Sequence, residues 1–154
     1  MMKQLISSLL LLAGLATMSS CKKNDTTTPA PSPMTVSGDL TGANQVPAVM
    51  SPGSGKVTGT YDTVSKELNY TVTYANMSGP AVAGHFHIAP PGMANPMPTL
   101  AFPGPYPSGN SGTITSKATL TQTQIDALLA GNLYANLHTQ MYGGGELRAN
   151  LTAK

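Results

Sequence analysis

The chain carries three histidines, and their spacing is where chemistry first shows. His85 and His87 flank Phe86 in a His-x-His-Ile run. On a strand, residues i and i+2 share a face, so both imidazoles point one way while Phe86 and Ile88 take the core side. His138 ends Leu133-Tyr134-Ala135-Asn136-Leu137-His138. There Leu133, Ala135 and Leu137 take the core side and His138 faces outward. If the two strands are close in one sheet, three imidazoles converge outside the core. Such a set suits one borderline ion, copper or zinc. Met93, Met97 and Met141 lie nearby in sequence, and Met97 is the candidate soft thioether ligand for Cu(I). The same residues serve equally well with no ion, the histidines as hydrogen-bonding groups and the methionines as gap-fillers. Six acidic residues in all are too few for a two-metal site. Asp39, Asp62 and Asp126 fall on a strand end, a turn and a helix, so no Ser-His-Asp arrangement emerges.

The single cysteine is Cys21. Before it, Met1 to Ser20 hold one lysine, an apolar run from Leu5 to Met18 and two serines. This pattern predicts a secretory signal over 1–20, too short to span a bilayer comfortably. A lone cysteine directly after Ser19-Ser20 resembles a bacterial lipobox, which makes Cys21 the expected lipidation site. Residues 21–33 are rich in Thr, Ser and Pro and read as an extended tether. Lys22 follows the cysteine where aspartate would resemble an inner-membrane retention signal, so the outer membrane is expected, on its periplasmic face or at the cell surface.

The elements that must position the histidines are short strands. Lys66 to Tyr74 alternates, with Leu68, Tyr70, Val72 and Tyr74 on one face. Lys56 to Tyr61 precedes it, and Asp62 to Ser65 can turn between them. Further strands are expected over Met34–Leu40, Val82–Ile88, Gly112–Leu120, Leu133–Thr139 and Glu146–Thr152. Thr121-x-x-Gln124 is a capping box, so a short helix is expected with Ile125, Leu128 and Leu129 as its apolar stripe and Gly131 at its end. Residues 89–110 have no period and hold Pro90, Pro91, Pro96, Pro98, Pro103, Pro105 and Pro107. They read as a long loop of fixed shape.

Composition agrees. Of 154 residues only 9% are charged, against about 25% in an average soluble protein, and the net charge is +2. Without a basic cluster in the body, nucleic acid is excluded as a partner. The 40% hydrophobic content can bury a core, and the scarcity of Glu and Lys excludes coiled coils and helical bundles.

Four blocks, in order, resemble the CHRD domain, a family named for repeats in the animal protein chordin and also found in bacterial exported proteins. They are Leu40–Ala48 (LTGANQVPA), Gly84–Ala89 (GHFHIA), Gly131–Thr139 (GNLYANLHT) and Gly143–Leu151 (GGGELRANL). The strand pattern points to an all-β fold, a Greek-key β-sandwich, immunoglobulin-like or superoxide-dismutase-like, with one short helix and a long Pro-rich loop. The resemblance covers about residues 34–151, and the domain is placed at 34–152. Through its similarity to the copper/zinc superoxide dismutase sandwich, it implies His85 and His87 as a copper pair and His138 as a later copper histidine. The bridging histidine, the zinc histidines and the disulfide of that enzyme have no counterpart, so a dinuclear dismutase is not implied. The leading expectation is a non-enzymatic CHRD lipoprotein, an extracytoplasmic binding module on the outer membrane. Its partners are the membrane through its lipid, an extracellular protein, and one copper or zinc ion. A small mononuclear copper redox enzyme and a structural or adhesive envelope protein without metal stand as the alternatives.

Overall fold

The computed structural model of the protein describes residues 31–154. The signal peptide expected over 1–20, Cys21 and nearly all of the tether lie outside the described residues. The strands are β1 (Met34–Thr41), β2 (Ser54–Tyr61), β3 (Glu67–Ala75), β4 (Ala81–Ile88), β5 (Pro98–Ala101), β6 (Gly112–Thr119), β7 (Leu133–Thr139), β8 (Leu147–Asn150) and β9 (Thr152–Ala153). One helix, α1 (Gln122–Leu129), joins β6 to β7, and a 3-10 turn (Gly42–Asn44) follows β1.

Every strand pair is antiparallel. The order β5-β4-β7-β8-β1-β2-β3-β6 divides into two four-stranded halves, joined where Thr41 pairs with Arg148, and the short β9 pairs with β1 beside that junction. The chain runs through β1, β2 and β3, crosses to β4 and β5, returns to β6, and crosses again through α1 to β7 and β8. This is the expected all-β, Greek-key, sandwich-like fold. The halves face each other across aromatic contacts: Tyr70 of β3 meets Phe86 of β4 edge-on at 5.0 Å and Phe102, which follows β5, at 5.5 Å.

Local chemistry explains the elements. In β3 the alternation holds, with Leu68, Tyr70, Val72 and Tyr74 buried. Leu133, Leu137, Leu147 and Leu151 are buried with them, as expected. The β2–β3 turn closes because the Asp62 carboxylate accepts the N–H groups of Val64 and Ser65 at 2.8 and 2.9 Å. Those two bonds also hold the Asp62 carboxyl below its usual range, the Ser65 bond more strongly. The capping box is present: Thr121 N–H donates to Gln124 Oε1 at 2.8 Å, and Gln124 N–H to Thr121 Oγ1 at 3.4 Å.

Two expectations need correction. The helix buries Gln124, Ile125, Ala127 and Leu128, while Leu129 is 54% exposed. Gln124 goes inward because its side-chain amide donates to both Thr99 O and Thr99 Oγ1 at 2.9 Å, which turns the buried face away from Leu129. The proline-rich stretch also contains a strand, β5, paired along β4 with Phe86 opposite Leu100. Pro98 opens it, where a missing N–H is tolerated.

Candidate metal centre

The histidines sit on the central pair of one half. β4 and β7 pair so that His85 lies opposite Asn136, His87 opposite Tyr134 and Ala83 opposite His138. Residues of one parity therefore build a second layer outside the sandwich: His85, His87, Tyr134, Asn136 and His138, with Arg148 and Asn150 from the adjoining β8. The core residues Phe86, Ala135, Leu147 and Ala149 hold the other side.

Within that layer one nitrogen from each imidazole lies within 4.8 Å of the others. His138 Nδ1 is 2.9 Å from Gly143 O, and a carbonyl only accepts, so Nδ1 carries the proton and Nε2 the lone pair. His85 Nδ1 stands 3.2 Å from that Nε2 and donates to it in the neutral pair. Two nitrogens bound to one tetrahedral ion at about 2.0–2.1 Å would be about 3.4 Å apart. The 3.2 Å between His85 Nδ1 and His138 Nε2 is close to that separation, and Nδ1 offers a lone pair once the His85 proton moves to its Nε2; the His87 nitrogen lies within 4.8 Å of the other two.

His87 departs from expectation in its burial. It lies on the face away from the sandwich core, yet it is only 4% exposed, because the segment from Pro90 to Met97 folds over it. That cover is tied down at several points. Arg148 Nη1 donates to Met93 O at 2.7 Å and Nη2 to Pro90 O at 3.4 Å. Asn95 donates its N–H to the Tyr134 hydroxyl at 3.2 Å, and that hydroxyl donates to Asn95 O at 3.0 Å. The Asn95 side chain also donates to Ile88 O at 2.9 Å. Beneath the cover, neither ring nitrogen of His87 has a hydrogen-bond partner.

Burial, and secondarily His138, holds the His85 pKa below the ordinary imidazole value. Burial, and secondarily His85, does the same for His87. Backbone groups of Met97 and Asn95 near the His87 ring act in the opposite sense, but they are too poorly placed to be hydrogen bonds. Both rings are thus kept neutral, the form that ligates an ion.

The methionines are not gathered in. Met93, Met97 and Met141 are 60%, 71% and 70% exposed. Met97 lies on the covering segment with its N–H on Asn95 Oδ1, and its thioether faces solvent. The convergent donor set among the described residues is three imidazoles. A cleft of about 350 Å³ opens beside them, bordered by His87, Tyr134, Asn136, His138, Gln45 and Arg148.

Glu146 escaped sequence reasoning. It is fully buried with no cation beside it, and its two oxygens accept from Ser51 Oγ, Ser78 Oγ and Thr139 Oγ1 at 2.6 Å each, and from Ser78 N–H at 2.8 Å. Burial raises its pKa, but these donors outweigh burial and hold it below the usual carboxylate range. The carboxylate knots the loops carrying Ser51 and Ser78 to β7 and stands apart from the histidine cluster. Tyr134 and Arg148 were also missed as site residues. The period-2 pattern that placed His138 outward places Tyr134 on the same face, so that signal was present.

No curated protein and no solved structure matches the chain. The CHRD domain matches at residues 36–151, within the expected bounds and across both halves of the sandwich, and on that match the chain belongs to the CHRD domain family.

Proposed function

We propose that this CHRD domain is an exported binding module that holds one copper or zinc ion through His85, His87 and His138. The observation that carries the reading is His87, a buried imidazole with both ring nitrogens unpartnered, close to the imidazoles of His85 and His138. An unsatisfied buried polar group costs about 1–3 kcal/mol, and a ligand that takes the lone pair recovers the share of that loss that belongs to the ligating nitrogen. The ion would supply a Lewis-acidic or redox-active centre. The chain supplies neutral donors, a fixed tautomer at His138 and a cover that limits water. Export and a lipid anchor at Cys21 are part of the proposal, supported by the apolar leader, the lone cysteine and the Thr/Pro tether. An extracellular protein partner fits a domain displayed in this way.

One feature favours the mononuclear copper redox enzyme as a second reading. The cleft beside the imidazoles gives a small molecule a route to the ion. Isothermal titration of metal-free, tag-free protein with Cu(II) and Zn(II) tests the binding reading, with one site per chain expected. Repeated reduction and reoxidation of the copper-loaded protein by a small-molecule couple separates the two readings, since a pure binding module would not turn over.

A further inference from the structure

A metal-binding histidine is ordinarily oriented by a hydrogen bond from its second ring nitrogen to a carbonyl or carboxylate. His138 obeys this through Gly143 O, whereas His87 has no such bond. Its orientation must come from packing, and the packing is specific. The His87 ring lies parallel to the Tyr134 ring, 9° between planes and 5.0 Å between centroids. The Arg148 guanidinium carbon stands 3.6 Å from the Tyr134 centroid. Two planar groups this close cannot share one face of a phenol ring, so Tyr134 is held between the imidazole and the guanidinium. The phenol's edge is fixed as well, by its reciprocal bonds with the Asn95 backbone. Arg148 is fixed in turn by Met93 O and by Asn150 Oδ1, the latter at 3.0 Å from Nε. No carboxylate is among these partners, so the buried guanidinium is spent on the ring and on the cover.

Resting on the three-histidine reading above, we propose that Tyr134, backed by Arg148, is the positioning residue for His87. The stack replaces the missing hydrogen bond: it holds the imidazole plane fixed without engaging either ring nitrogen, so the one that carries the lone pair is free for the ion. Neither Tyr134 nor Arg148 touches the ion in this account.

The test uses Tyr134→Leu, Tyr134→Phe and Arg148→Met, with Cu(II) as the probe. Tyr134→Phe keeps the ring face and should keep affinity within a few-fold. Tyr134→Leu and Arg148→Met should each weaken Cu(II) binding by about 10- to 100-fold, the usual effect of losing a residue that orients a ligand. The copper electron paramagnetic resonance spectrum of Tyr134→Leu should lose one nitrogen coupling relative to wild type. In the metal-free wild type, the ring protons of His87 should be shifted upfield by the Tyr134 ring, and the shift should vanish in Tyr134→Leu. Thermal unfolding confirms that each variant is folded; if Tyr134→Leu is not, Arg148→Met and the wild-type ring-proton shift decide. Wild-type affinity and an unchanged copper spectrum in the folded Tyr134→Leu or Arg148→Met protein would overturn the positioning role. An unshifted His87 ring in wild type would do the same. A wild type that binds no Cu(II) would instead overturn the metal reading itself, a distinct outcome.

Discussion

His87 has two opposed roles, and its substitutions should separate them. Without an ion its ring nitrogens are orphaned under the Pro90–Met97 cover. His87→Phe keeps a flat ring against Tyr134 and removes the orphaned groups. The metal-free variant should be as stable as wild type or gain about 1 kcal/mol, while ion binding is strongly weakened. Urea unfolding checks this, and a loss of more than about 2 kcal/mol would mean the imidazole is satisfied by contacts in the fold. Proton linkage gives a second expectation. His85 and His87 have folded pKa values below the ordinary imidazole value, so between the two values the unfolded chain binds more protons than the folded one. Their contribution to stability is therefore present above about pH 6.5 and is lost as pH falls through the lowered folded values. Stability of the metal-free protein should decline from pH 7 toward pH 5.5, and metal affinity should fall over the same range as protons compete for the nitrogens. A flat or rising profile in urea titrations across that range would contradict the burial assigned to these rings. At this scale the histidines were legible because a two-residue period is a strong rule. The burial of His87 was not legible, because the segment that follows it is held over the ring by Arg148 and Tyr134, far along the chain.

At the scale of elements, register is the quantity that matters. β7 puts Leu133, Ala135 and Leu137 into the core and Tyr134, Asn136 and His138 on the outer layer, and a slip of one residue would exchange the two sets. Leu137 is fully buried, and Leu137→Ala should cost about 2–5 kcal/mol in denaturant unfolding. A change within experimental error would place Leu137 outside the core. The strands that alternate cleanly, β2, β3 and β7, could be read from sequence to within about two residues, and the helix start from its capping box. β5 could not. It is four residues long, opens with a proline and does not alternate, and it is a strand because β4 offers a free edge. The apolar stripe of α1 was misplaced at Leu129 because the contact that decides it, Gln124 to Thr99, joins the helix to that same unforeseen strand. One missed element thus accounts for two of the corrections.

For the whole molecule, a sandwich of two four-stranded halves carries its candidate centre on an outer layer of one half, with the tether leading into β1 in the other. No helix among the described residues is long and apolar enough to cross a membrane. The proposed attachment is a lipid on Cys21. Cys21→Ala should abolish acylation and leave the protein unprocessed or released, as read by mass spectrometry of the mature protein. An unmodified Cys21 thiol in that material would refute the anchor. The family was legible because its four blocks are sequence-local. The coupling of the Pro90–Met97 cover to β8 was not, because Arg148 lies far along the chain from the carbonyls it holds.

The central claim is that the three imidazoles form one ion site. It is tested most directly by isothermal titration of the metal-free, tag-free domain with Cu(II), wild type beside the combined His85→Ala, His87→Ala, His138→Ala variant. One ion per wild-type chain and no saturable binding in the variant is the predicted result. Equal binding by the two proteins, or none by wild type, would contradict it and leave a CHRD domain whose histidines hold no metal.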